Sequence, residues 1–175
     1  MVRPEDIMQV KAFARQDGVF LALLWIVSFA CVVYSPQSTL GSLLALCTPF
    51  LVGWRLVAFR NDALDGVISF RRGYMYSVYT FFYASLIFAC AQFIYFKFMD
   101  HGRFMGIMND AMQSVSPIYE RSGMNMEEIR QGMEAMSGLS PFQWAFMFMM
   151  QNVVIGFIIS IFIALACARR AATRA

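Results

Sequence analysis

Along the chain, apolar positions gather into four long stretches, Gly18–Tyr34, Leu40–Phe59, Tyr74–Met99 and Phe142–Ala168, separated by shorter polar segments. A hydrocarbon core about 30 Å thick is crossed by about 20 helical residues, within a range of about 17–25. Inside such a core no water satisfies the backbone, so each stretch must close its own hydrogen bonds and predicts a helix. The pattern predicts an all-α integral membrane protein. It is one domain over residues 1–175, with four transmembrane helices at about 18–34, 40–59, 70–99 and 142–168. The turn Ser35-Pro36-Gln37-Ser38-Thr39 makes helices one and two antiparallel neighbours.

The outer loop, 100–141, is the only sizeable segment outside these helices, and its pattern differs. Phe104, Met108, Met112 and Val115 mark one face of an amphipathic helix, which Ser116-Pro117 is expected to stop. Asn125 then caps a second helix, with Glu128 completing a capping box, and Met126, Ile129, Met133 and Met136 form its apolar face. The prediction is an amphipathic helical hairpin between helices three and four, either closed on itself or lying on the membrane surface.

Charge orients the bundle. Arg3, Lys11, Arg15, Arg55, Arg60, Arg71, Arg72, Arg169, Arg170 and Arg174 share one side of four crossings. Lys97, Arg103, Arg121 and Arg130 lie on the other, diluted by six carboxylates. The positive-inside rule then places both termini in the cytoplasm and makes the hairpin extracytoplasmic. Helix one is not a cleaved signal peptide, because a polar arm precedes it and no small-x-small cleavage site follows.

Composition narrows the chemistry. Hydrophobic residues make up 59% and charged residues 14%, against about one quarter charged in soluble domains. The net charge of +3 comes from arginines flanking helices, so no nucleic-acid partner is expected. Cys31, Cys47, Cys90 and Cys167 fall in or at the ends of apolar segments and read as small hydrophobes in lipid. Eleven of fourteen methionines follow Phe98. Thioethers at the spacing of Met105, Met108 and Met112 would suit Cu(I), yet the same spacing builds an apolar helix face. Packing is the reading taken, with no metal and no cofactor expected. His101, the one histidine, has no nucleophile placed beside it by a recognisable motif, so no catalytic residue is nominated. An enzyme is the less favoured reading.

Within the helices a few positions stand out. Pro49 and Gly53 predict a tolerated bend in helix two. Arg55 lies close enough to the membrane edge to snorkel, with a buried partner or a lipid headgroup as the other readings. Ser69 predicts the N-cap of helix three, followed by Arg71 and Arg72, which anionic lipids would attract by about 1 kcal/mol each. Tyr76, Tyr79 and Tyr83 form one stripe. It reads first as an aromatic belt, and more sharply as a hydroxyl-lined site for a lipid headgroup together with Arg55, Arg71 and Arg72. Ser77, Ala84 and Ala91, with Ser85 and Gln92 beside them, offer a smooth surface to another helix. On helix four Asn152, Gly156, Ser160, Ala164 and Ala168 recur every four residues, a packing ridge expected to work within the monomer before it makes a homodimer. Asn152 and Gln151 are expected to hydrogen-bond to a neighbouring helix. No acidic residue, lysine or histidine is expected at a helix centre, which argues against ion-coupled transport.

The stretch Arg60-Asn61-Asp62 through Gly66-Val67-Ile68-Ser69-Phe70-Arg71-Arg72-Gly73 resembles the cytoplasmic link of a bacterial membrane family catalogued as domain of unknown function 4199. Tyr95-Phe96-Lys97-Phe98-Met99-Asp100 is similar to its helix-three exit, and Ile155-Gly156-Phe157-Ile158-Ile159-Ser160 to its last helix. The resemblance spans most of the chain and implies four helices and a bacterial inner-membrane location. It carries no activity. The expected function is that of a small polytopic inner-membrane protein, a non-enzymatic accessory subunit of a larger membrane or envelope complex. The alternative is a lipid-binding or lipid-translocating helper, for example for polyprenyl-linked sugars. Expected partners are membrane lipids and another membrane protein or a second copy.

Overall fold

A computed structural model of the chain describes residues 4–121 and 126–169. Among them the regular elements are helices: α1 (Pro4–Tyr34), α2 (Leu40–Leu46), α3 (Thr48–Ala63), α4 (Phe70–Phe98), α5 (Arg103–Arg121), α6 (Met126–Ser137) and α7 (Pro141–Cys167). Four segments are long and apolar enough to cross a bilayer: Asp6–Tyr34, Leu40–Ala63, Phe70–Phe98 and Pro141–Cys167. Their outer surfaces are rich in bare apolar side chains, such as Phe50 at 77%, Trp54 at 64% and Phe162 at 67% exposure. A protein in water does not leave so much apolar surface uncovered.

α4 is the central helix, packed along α1 on one flank and α7 on the other, while α3 makes smaller contacts with all three. These packings follow the small residues. A Cβ on Gly156 would lie 2.6 Å from the Cβ of Phe81, and one on Gly73 would lie 3.7 Å from Ala164. Ser160 and Ala164 are fully buried, so the ridge on α7 is used inside the monomer, against α4. The matching surface on α4 is buried at Ser77, Ala84, Ser85 and Gln92, as a smooth helix face requires. Gly18 does the same on the other flank: a Cβ there would sit 2.8 Å from the Cβ of Tyr83 and 3.2 Å from the backbone of Ala84.

Helix two is broken into α2 and α3 at Cys47. Pro49 has no amide hydrogen for the Ala45 carbonyl and its ring crowds that turn. The Cys47 amide is shared between the carbonyls of Leu43 (3.2 Å) and Leu44 (3.1 Å), the tightened geometry of a helix end. At this break Trp25 Nε1 donates to Thr48 Oγ1 at 2.9 Å, tying α3 to α1 in the interior. Thr48→Val keeps the shape but leaves a buried N–H unpaired. It is expected to cost about 1–3 kcal/mol, measured as a shift in the unfolding curve of the detergent-solubilised protein.

Several ends obey local rules. Ser69 caps α4, its hydroxyl accepting from the Arg72 amide at 3.4 Å, and Ser140 with Gln143 makes a capping box on α7. Asp100 caps α5, accepting from the amides of Gly102 (3.2 Å) and Phe104 (2.9 Å) while Tyr95 donates to it at 2.8 Å. His101 and Gly102 take positive φ to make that turn, and His101 is exposed. α1 begins at Pro4, so the polar arm ahead of Gly18 is part of the same helix.

The expected stop at Ser116-Pro117 does not occur, since α5 continues to Arg121. Pro117 cannot donate to the Gln113 carbonyl, and the Ser116 hydroxyl does so instead at 3.3 Å, which relieves the break. The proposed cap at Asn125 and its Glu128 partner lie outside the residues whose side chains are described. At the opposite end, the link before α4 and the tail after α7 are joined. Ile68 and Arg169 exchange backbone hydrogen bonds, both 3.0 Å, and Arg60 donates to the Cys167 carbonyl at 3.1 Å.

Candidate functional site

The densest polar arrangement lies in the interior at the arginine-rich end, where α1, α3 and α4 meet. Asp17 on α1 is 2% exposed. Its Oδ1 accepts from Arg55 Nε on α3 at 2.6 Å, and its Oδ2 accepts from the Tyr76 hydroxyl on α4. Each helix contributes one member, so the carboxylate is a staple for three helices. Below it, Phe59 stacks on Tyr76 with ring centroids 5.0 Å apart and planes 8° off parallel. Arg72 lies over the Phe59 ring, 5.9 Å from its centroid. Arg72 in turn donates to Gln9 at 2.6 Å and faces Asp6 at 3.4 Å, both on α1.

Arg55 therefore has a buried partner, which corrects the snorkelling reading. Its side chain is 25% exposed, against 1% for Asp17, and its guanidinium rests over the rings of Phe20 (5.4 Å) and Trp54 (5.5 Å). Asp17 also corrects the expectation that no acidic residue sits inside a helix centre, since it is the fourteenth residue of the 31-residue α1. The sequence reading misses this pair, although two signals could have found it. Asp17 and Arg55 lie at similar depths from one end, and α1 and helix two run antiparallel, so an ion pair across them was geometrically available.

The other nominated residues divide. Tyr76 joins the staple, whereas Tyr79 and Tyr83 stack on each other outside it, with centroids 6.4 Å apart and Lys11 Nζ 5.2 Å over the Tyr79 ring. Arg72 is tied to α1, and Arg71 points away and is exposed. Arg55, Tyr76 and Arg72 are thus brought together, through Asp17 and Phe59, and Arg71, Tyr79 and Tyr83 are not part of that cluster. Gly156, Ser160 and Ala164 pack against α4, while Asn152 and Gln151 line an open groove rather than bonding to a neighbouring helix. Among the described residues no group of three His, Cys, Asp or Glu side chains is placed to hold a metal ion. The four cysteines are free thiols, with Cys167 buried near the Gly53 carbonyl.

At the far end a second surface forms. Phe104 of α5 enters an aromatic cluster with Phe29, Phe96, Trp144 and Phe148, at centroid distances of 5.4–6.2 Å. This anchors α5 to the bundle. Between α5 and α6 runs a groove of about 650 Å³, lined by Met105, Met112, Ile129 and Met133 and edged by Asn109, Gln113, Glu127 and Arg130. Arg130 donates to both oxygens of Glu127, at 3.1 and 2.8 Å, and holds that exposed carboxyl below the usual range.

The staple has the chemistry of a structural ion pair. Each of its carboxylate oxygens accepts a hydrogen bond, and its arginine is laid across aromatic rings. No curated protein and no solved structure matches the chain. The model of the family of proteins of unknown function DUF4199 matches residues 16–169, most of the chain, and the chain belongs to that family.

Proposed function

We propose that the chain is a small polytopic protein of the bacterial inner membrane, working as a non-enzymatic accessory subunit of a larger membrane or envelope complex. In this reading both termini are cytoplasmic, as the arginine distribution favours. α5 and α6 then form an extracytoplasmic amphipathic hairpin carried on the end of the bundle.

The observation that supports it most is the groove between α5 and α6. Its walls are methionine-rich, and methionine adapts to irregular partner shapes better than stiffer side chains do. Among the described residues α6 packs on α5 and makes no close approach to the rest of the bundle, so the groove's open side is available to a partner. An apolar helix face from another subunit is the natural occupant, with the polar edge setting its orientation. The Asp17 staple supports the same reading, because it makes the bundle a firm platform and binds its own polar groups.

The test is to solubilise native membranes in mild detergent, capture this protein and identify what comes with it by mass spectrometry. A stoichiometric membrane partner is expected, lost when Met112→Glu and Met133→Glu are combined while the unfolding curve stays unchanged. Recovery of the protein alone would sink the subunit reading. If it came down alone but loaded with one anionic lipid class, the lipid-binding helper, centred on Arg71 and the Tyr79–Tyr83 face, would replace it.

A further inference from the structure

A second groove opens inside the bundle, with Phe104 of α5 among its lining residues. The break at Cys47 turns α2 aside, so α2 packs on α1 and α3 and makes no close approach to α7. The gap is a cavity of about 500 Å³, walled by Ala45 and Leu46 on α2 and by Asn152 and Ile155 on α7. Phe88 and Gln92 of α4 form its floor. It lies among the segments long enough to cross a bilayer, and it opens sideways between two of them.

Its lining is apolar except for uncharged hydrogen-bonding groups. Two of these are already engaged: Ser28 donates to the Gly41 carbonyl at 2.7 Å, and Thr48 accepts from Trp25 at 2.9 Å. Gln92 is not. It is 1% exposed, and its Oε1 has no hydrogen-bond partner among the described residues. A buried amide without a partner is costly, and an apolar side chain of the same size would avoid that cost. Asn152 offers a second amide on the facing wall.

We infer that this groove binds a neutral membrane-soluble molecule, an apolar prenyl or acyl body bearing a hydroxyl group that donates to Gln92 Oε1. The absence of any charged side chain from the lining selects against a phosphate headgroup, which would sit there unpaired. Pockets for small ligands run about 300–1,000 Å³, and aromatic walls such as Trp25, Phe81 and Phe88 suit rings and prenyl chains.

The test uses the full chain in phosphatidylcholine nanodiscs, titrated with two probes: a benzoquinol with a short prenyl tail, and dioctanoylglycerol. Saturable binding of at least one is expected, weakened roughly tenfold by Gln92→Leu, as loss of one good hydrogen bond implies. The same variant is expected to be at least as heat-stable as the parent, because it removes an unpaired buried amide. Binding of the quinol alone assigns a phenolic hydroxyl, binding of the glyceride alone an aliphatic hydroxyl, and binding of both the shared chemistry. Ala45→Phe, at an exposed position on the rim, fills the groove without touching the α4 core and is expected to abolish binding of both probes. Unweakened binding in either variant, or no saturable binding to the parent, would overturn the assignment.

Discussion

Arg55→Leu is expected to destabilise the bundle by about 3–5 kcal/mol, because it leaves the buried Asp17 carboxylate with the Tyr76 hydroxyl as its one remaining donor. The reverse change, Asp17→Leu, should cost less. The arginine it strands is a quarter exposed and can turn toward water, whereas the aspartate is almost fully enclosed. Combining Asp17→Leu with Arg55→Leu should recover part of the loss, since paired charges replaced by apolar groups are often neutral, while the buried Tyr76 hydroxyl stays without its acceptor. Chemical unfolding in mild detergent measures all three. Equal losses in the two single variants, or no recovery in the double, would show that the staple is not what joins α1, α3 and α4.

The second large effect is expected at Gly156. Gly156→Ala places a methyl 2.6 Å from the Cβ of Phe81, an atom fixed to the α4 backbone that cannot rotate away. The two helices must separate along their largest shared interface, and overpacking of this kind costs about 1–3 kcal/mol. Gly156→Leu should cost more, and the protein should then fail to accumulate in membranes. Gly106→Ala on α5 is the control. Nothing lies within 4 Å of the methyl it would add, so removing backbone freedom from a helix should stabilise it by about 0.5–1 kcal/mol. A Gly156→Ala variant as stable as the parent would mean that α4 and α7 do not approach as described.

The groove in the interior and the staple show how differently two features of one chain can be read from sequence. The bend that creates the groove was legible, because Pro49 must disrupt the turn before it. That the bend leaves α2 away from α7, with Gln92 beneath the gap, was not, since it depends on which way α2 swings. The burial of Asp17 is not legible in the sequence for a related reason. It stands immediately before Gly18, at the start of an apolar stretch, where a charged residue is ordinarily at the membrane edge. The helix that contains it begins at Pro4, and the packing of α3 and α4 around Asp17, not its place in the sequence, puts it inside.

The sequence by itself determined the four apolar helices, the cap at Ser69, the amphipathic character of α5 and α6, and the small-residue ridge of α7. Each rests on local periodicity or on hydrogen bonds within a few residues, which neighbouring side chains alone decide. Only the tertiary structure decided that Asp17, Arg55 and Tyr76 meet, that the ridge faces α4, and that a groove remains between α2 and α7. Those depend on helix azimuth and crossing geometry, and small differences in close packing between distant segments select among arrangements that local pattern leaves equivalent.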